Sequence, residues 1–254
     1  MKVLHLISGT LKGGAARGGA WLHLGLWDAG VESRMLVSRL DVDYPSTHSV
    51  LSKGWAGEAQ YYAHVLSELW PRAVYWNHQR CIFSSGIVGF PQIERHPWFH
   101  EADIIHLHWI NLGMLSLKQI ARINKPIVWT LRDMWPMTGG CHYAMGCRRY
   151  QETCGRCPML GSLAENDLSR WNHRRKQRMF GDKKIHWVAL SRWLARCAQD
   201  SSILKGQDIQ VIPNGIDPTV FYPVDKQEAR RQLGWPLKDK IILTGAVRLN
   251  FLWK

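Results

Sequence analysis

A short apolar run that breaks into a cysteine-bearing loop limits most strongly how this chain can fold. Residues 126–131 read PIVWTL, a run too short for an ordinary helix. It ends abruptly at Arg132 and Asp133. The loop that follows, to Pro158, carries His142 and four of the six cysteines. A brief continuous apolar segment of this kind reads as a central parallel strand covered on both faces. In open α/β sheets, ligands bind beyond the carboxyl ends of the strands. The loop is therefore expected to floor a functional cleft.

The rest of the chain repeats the same grammar. Strands are expected at 2–8 (KVLHLIS), 31–38, 103–109 (DIIHLHW), 184–191, 210–213 and 240–246 (KIILTGA). Helical stretches are expected up to Ala29, then at 57–70, 116–123, 163–180, from Arg192 to about Leu204, and 225–233. On the second of these, Ala59, Tyr62, Ala63, Leu66 and Leu69 share one face, and its aromatics read as core or groove wall. Strands alternating with helices predict an α/β fold with a doubly wound, mainly parallel, Rossmann-like sheet and right-handed crossovers.

Two further stretches fall at expected strand ends. A glycine-rich turn, Gly9 to Gly19, joins the first strand to the first helix. Strand, glycine turn and helix present backbone N–H groups and a positive helix end to an anion. Gly13, Gly14 and Arg17 are the candidates there. The spacing is not the dinucleotide fingerprint, and no acidic residue closes the next strand. A turn that needs glycine for backbone reasons alone is the alternative. In the strand 103–109, His106 and His108 lie on one face by period two. His106 reads as a hydrogen-bonded core residue. His108 is open to either a core or a catalytic reading, and with Trp109 and Asn111 it borders the cleft.

With 254 residues and 46% hydrophobic content, the chain can bury a full core as one large domain or two small ones. No apolar run approaches the roughly 18–20 residues of a membrane span, and the first strand is too short for a signal-peptide core. A cytoplasmic protein with reduced or metal-bound cysteines is the expectation. The formal charge of +13 is concentrated: residues 141–200 hold twelve Lys/Arg against five Asp/Glu. That bias suits a negatively charged partner or a solvated basic surface. The helix 168–180 packs Arg170, Arg174, Arg175, Lys176 and Arg178 beside Leu168, Trp171 and Met179, a pattern compatible with peripheral contact at the inner face of the plasma membrane. Its alternative is a core-facing stripe with arginines in water.

Cys141, Cys147, Cys154 and Cys157 follow the pattern C-x5-C-x6-C-x2-C. Four thiolates can close a tetrahedral zinc site, and the second pair has knuckle spacing. A structural zinc, disulfides and plain reduced thiols are the three readings, with His142 able to replace one ligand. Cys81 and Cys197 stand alone and read as buried thiols.

Taken together, the turn Gly13-Gly14-Ala15, the strand and loop WTLRDMWPMTGGCHY (129–143), and the linker IPNGID (212–217) with Phe221 and Pro223 resemble the family 4 retaining glycosyltransferases of two-domain GT-B fold. The cysteine loop resembles the exopolysaccharide, colanic-acid-type branch. The resemblance covers the chain as an amino-terminal half. It implies transfer of a sugar from a nucleotide-sugar donor to a saccharide or lipid-linked acceptor, with no cofactor required for catalysis. It implies an acceptor-side domain over 1–212, a linker and helix over 213–239, and over 240–254 the first strand of a nucleotide-binding domain not contained here. Transfer by this chain alone is then not expected. It places Gly13, Gly14, Arg17, Trp109, Asn111 and Asn214 near the donor phosphates or acceptor, and Asp133, Arg132 and His108 at the catalytic centre. Where many members carry a His-Asp pair, this chain has Arg132-Asp133. Arginine cannot serve as a base near neutrality, but it can hold a phosphate or a sugar hydroxyl. The competing readings are a basic, zinc-containing nucleic-acid module, for which no recognition signature appears, and a degenerate, truncated gene product without activity.

Overall fold

Seven strands join into one sheet in which every neighbouring pair runs parallel. The computed structural model of the protein describes residues 1–11, 13–75, 82–181 and 183–244. The strands are β1 (Lys2–Ile7), β2 (Glu32–Val37), β3 (Thr47–Ser49), β4 (Ile104–Leu107), β5 (Ile127–Leu131), β6 (Ile185–Ala189) and β7 (Ile209–Val211). Their spatial order is β3-β2-β1-β4-β5-β6-β7. The order reverses between β1 and β4, the switch point at which such sheets open a crevice. The mainly parallel, Rossmann-like sheet expected from the sequence is present, and it is parallel throughout. The short β3 and two five-residue helices, α3 (Pro91–Arg95) and α4 (Pro97–Glu101), carry too few residues for a periodicity to show.

The longer helices are α1 (Gly14–Asp28), α2 (Trp55–Leu69), α5 (Leu117–Arg122), α6 (Leu168–Phe180), α7 (Arg192–Asp200) and α8 (Lys226–Gln232). Several starts are set by local chemistry. Ser116 and Gln119 form a reciprocal capping box at α5. Asp167, Ser191 and Asp225 accept backbone N–H groups at the starts of α6, α7 and α8. α1 stops before Gly30, whose φ of +77° suits glycine.

Both faces of the sheet are covered. Leu4 and Leu6 of β1 point into the larger core with Trp129, Trp187 and Phe180, while Ile7 packs with Ala16 and Ala20 of α1. α2 departs from expectation. Tyr62, Leu66 and Leu69, the supposed inner face, are exposed, and the residues it buries are Gly57 and Glu68. The Glu68 carboxylate accepts the Gly86 N–H at 2.6 Å, so a buried polar anchor fixes the rotation of the helix.

Two compact units divide at Asn214 and Gly215. Within the second, Arg230 of α8 donates to the carbonyls of Pro236, Leu237 and Asp239. Residues 240–244 form no strand and lie exposed. The rest of the expected strand and Cys81 and Trp76 lie outside the described residues.

Glycine contacts give opposite expectations at two positions. A Cβ at Gly139 would sit 2.3 Å from the Ser169 carbonyl oxygen, whereas Gly25, inside α1, faces open space. Gly139→Ala should therefore cost about 1–3 kcal/mol through overpacking against backbone. Gly25→Ala should stabilise by up to about 1 kcal/mol through helix propensity. Urea unfolding of both variants checks the pair; equal midpoints would contradict the packing of the loop on α6.

Candidate functional site

The carboxyl ends of β1, β4 and β5 meet at the switch point, and the loops leaving them carry the chemistry. The ends of β1 and β4 are sewn together by the Ser8 N–H donating to the Trp109 carbonyl and the His108 N–H to the Leu6 carbonyl. β5 delivers Arg132 and Asp133 beside them.

Asp133 is buried and fully engaged. Its Oδ1 accepts the Trp135 backbone N–H at 2.9 Å, and its Oδ2 accepts Trp109 Nε1–H at 2.8 Å. The same oxygen lies 2.5 Å from His142 Nδ1, which donates to it. That assignment leaves His142 Nε2 to accept from the Ser84 hydroxyl at 3.0 Å. The chain Ser84–His142–Asp133–Trp109 thus ties the cysteine loop to the end of β4.

Arg132 faces the other way. Its Nη1 donates to Asn214 Oδ1 at 2.6 Å and its Nη2 to His108 Nδ1 at 3.1 Å. A guanidinium can only donate, so His108 Nδ1 accepts, and its Nε2–H is left to donate to His5 Nδ1, 3.0 Å away. Burial pushes Arg132 down to about 10, which still leaves it charged at neutral pH. Among the described residues no carboxylate forms an ion pair with it, and its Nε is buried without a partner. Close approach of α1 makes this arrangement possible: a Cβ on Gly18 would fall 2.5 Å from Arg132 Nη1, and one on Gly19 2.5 Å from Ile7.

Under Arg132 lies a stratum of histidines on the α1 side of the sheet. His5, in register with His106 across β1 and β4, stacks on His106 and His108, and His106 and His108 stack on each other with centroids 4.3 Å apart. His106 Nε2 bonds the Thr130 hydroxyl at 2.8 Å. His23 of α1 bonds Ser33 and the Pro45 carbonyl. Burial lowers all four, His5 and His108 well below the usual imidazole range and His106 down to about 3, and Arg132 pushes His5, His106 and His108 the same way.

The other predicted residues fall as follows. Gly13 caps the start of α1 with no side-chain cap, and both Gly13 and Gly14 face open space. Arg17 is exposed one turn on. Asn111 is buried, its Nδ2 without a partner, just before the left-handed turn at Leu112 and Gly113. The four cysteines lie in the loop after β5 and surround one small cavity. A separate cavity of about 770 Å³, lined by Leu40, Tyr44 and Lys53, lies after β2 and includes none of these residues.

α6 differs from its sequence reading. Ser169, Asn172, His173, Lys176 and Phe180 form the buried side, not Trp171, which stays exposed under the Arg175 guanidinium. Arg170 bonds Glu165 and the Cys154 carbonyl, Arg175 bonds the Ser85 carbonyl, and Lys176 is fully buried against the Trp135 and Thr138 carbonyls. Only Arg174 and Arg178 of its five cations remain exposed. Sequence reasoning also passed over His5, Ser84, Thr130 and Gly18. For His5 a signal existed: a lone polar residue inside the first buried run.

The histidine stratum predicts an acid-sensitive fold. These groups stay neutral when folded but take up protons once unfolded, so stability is present above the unfolded value near 6.5 and falls as pH drops below it. Each such group contributes a slope of about 1.4 kcal/mol per pH unit in that window. Urea midpoints measured from pH 7.5 to 5 should fall by more than one proton's worth; a flat profile would contradict the neutral assignment.

With this geometry in place, comparison with known proteins gives two matches. The family model described as Glycosyltransferase Family 4 matches residues 29–220. A protein of Escherichia coli (strain K12) named "Putative colanic acid biosynthesis glycosyl transferase WcaC" is 34% identical over 76 residues, which covers 26% of this chain and 19% of that relative.

Proposed function

The chain belongs to glycosyltransferase family 4, and from that premise we propose that it is the acceptor-side half of a retaining GT-B enzyme of polysaccharide biosynthesis. The donor is a nucleotide-sugar, and the acceptor is a saccharide or a lipid-linked saccharide. The similarity to a relative named for colanic acid biosynthesis supports an exopolysaccharide setting. The observation that carries the reading is Arg132: a charged guanidinium without a carboxylate partner among the described residues, held at the switch point one helical turn from the uncapped start of α1.

In this reading, breaking the bond between sugar and diphosphate leaves negative charge on the phosphate oxygens. Fixed positive groups that meet such charge supply the largest share of rate enhancement in reactions of this type. Arg132, the Gly13 and Gly14 N–H groups, the α1 dipole and Arg17 are placed to supply them or to hold a sugar hydroxyl. His108 orients Arg132 and stays neutral. Asn214 fixes the second guanidinium nitrogen. Asp133 is buried and accepts three hydrogen bonds; it positions Trp109 and the cysteine loop, while Trp109 and Asn111 border the acceptor.

Residues 1–254 alone are expected to transfer no sugar, because the sheet described here is one half of a two-domain catalyst. Turnover of a nucleotide-sugar by the pure 254-residue protein would contradict this. In a two-domain enzyme containing this half, Arg132→Gln should lower kcat by about 100-fold or more, with an unchanged melting temperature. Asp133→Ala should instead lose about 3–5 kcal/mol of stability, since it strands buried donors. Activity retained in Arg132→Gln would overturn the assignment.

We also propose that peripheral lipid contact, which a lipid-linked acceptor would require, falls on α2 rather than α6. The outward face of α2 carries Tyr62 and Leu66, and Trp55 and Trp70 at its two ends are exposed. No helix among the described residues is long and apolar enough to cross a membrane. Vesicle co-sedimentation should weaken in Leu66→Ser/Trp70→Ser and change little in Arg174→Glu/Arg178→Glu. The reverse ranking would restore α6.

A further inference from the structure

We propose that Cys141, Cys147, Cys154 and Cys157 hold a structural zinc ion that fastens the loop after β5 onto α6. The proposal is independent of the sugar chemistry. All four cysteines line one cavity of about 20 Å³, together with Phe83, Arg149 and Ser169. That is room for a single ion or water, not for a substrate. None of the four is in a disulfide.

The loop is pinned on both sides of its cysteines. The Cys157 N–H donates to Asp167 Oδ2 at 2.9 Å, the Gly155 N–H to the Ser169 hydroxyl at 3.0 Å, and the Thr138 hydroxyl to the Cys141 carbonyl at 2.6 Å. Cys154, Gly155 and Arg156 run consecutively through the left-handed region, with φ of 56°, 92° and 43°, and Met145 and Gly146 do so just before Cys147. Non-glycine residues adopt such angles only when their surroundings hold them there.

Charge balance points the same way. Four thiolates around a divalent zinc carry a net charge of about −2. Lys176 is fully buried beside Cys141 and Cys154 without a carboxylate hydrogen bond. Arg149 and Arg170 donate to the Gly155 and Cys154 carbonyls but are both paired with Glu165, so Lys176 is the buried cation left to meet that charge.

The histidine trio does not compete. His5, His106 and His108 are the described residues whose ligand atoms lie within 4.8 Å of one another. Yet both nitrogens of His108 and one of His106 are already bonded, and the Arg132 guanidinium sits on His108. A second cation there would face that charge directly. The cysteine sulphurs lie wider apart than this, and binding would draw them inward onto the cavity.

Metal analysis of the purified 254-residue protein after zinc reconstitution under reducing conditions is expected to give about one zinc per chain. Cobalt substitution should give a sulphur-to-metal charge-transfer band, which histidine ligation cannot produce. Cys154→Ser/Cys157→Ser should lose the metal, and Cys197→Ser should keep it. Should the double variant fail to fold, the cobalt spectrum of the unaltered protein still decides. Less than about a tenth of an equivalent of zinc, a cobalt spectrum lacking the sulphur band, or disulfide pairing of the four cysteines in the untreated protein would each overturn the proposal.

Discussion

The Asp133 carboxylate is the joint on which the cleft depends. It accepts from the Trp109 indole at the end of β4, from the Trp135 backbone, and from His142 beside the first loop cysteine. A buried carboxylate is costly to desolvate unless it is hydrogen-bonded. Here three donors from two loops reach it, so the carboxylate is satisfied only when both loops are in place. Its burial therefore selects one arrangement of the cleft floor. Arg132, the next residue back, is directed by the same strand end but to the opposite side, toward His108 and Asn214. Two adjacent charged residues thus differ: Asp133 is taken up by donors of the fold, and Arg132 has no carboxylate partner among the described residues.

The histidine stratum leaves the field of Arg132 uncancelled. A carboxylate beneath it would have offset that field. The neutral His108 imidazole accepts its hydrogen bond without doing so. Gly18 and Gly19 complete the device, because only a helix without side chains at those positions can lie close enough to close over the guanidinium and the His108 ring. The glycine-rich turn therefore has two parts: Gly13 and Gly14 leave open space at the helix start, while Gly18 and Gly19 permit close packing.

The alternation of buried runs with amphipathic stretches made the parallel sheet legible in the sequence. So did the position of 126–131 as a central strand, since a strand buried on both faces has no polar register to hide it. The strand ends, and with them Arg132, Asp133, His108 and Trp109, followed directly. What could not be read is the pairing among polar residues. Ser84 lies 58 positions from His142, and Asn214 lies 82 from Arg132; no local pattern links them. α2 misled for a physical reason: it buries a polar anchor, Glu68, so hydrophobic periodicity pointed to the wrong face, and α6 likewise buries Lys176 beside Leu168 and Met179.

The excess positive charge of residues 141–200 has the same origin. A basic segment suggests a partner surface, but here much of the charge works inside the molecule. Glu165 alone pairs with Arg149, Arg156 and Arg170, while Lys176 bonds the Thr138 carbonyl of the irregular loop and Arg175 the Ser85 carbonyl. A long loop without secondary structure exposes many such carbonyls, and long cationic side chains from a neighbouring helix are an economical source of donors. The loop after β5 is thus held by Asp133 at its start and by α6 cations along its length. The cysteines sit among these supports: Arg170 holds the Cys154 carbonyl, Asp167 the Cys157 N–H and Thr138 the Cys141 carbonyl, and the four residues surround one small cavity.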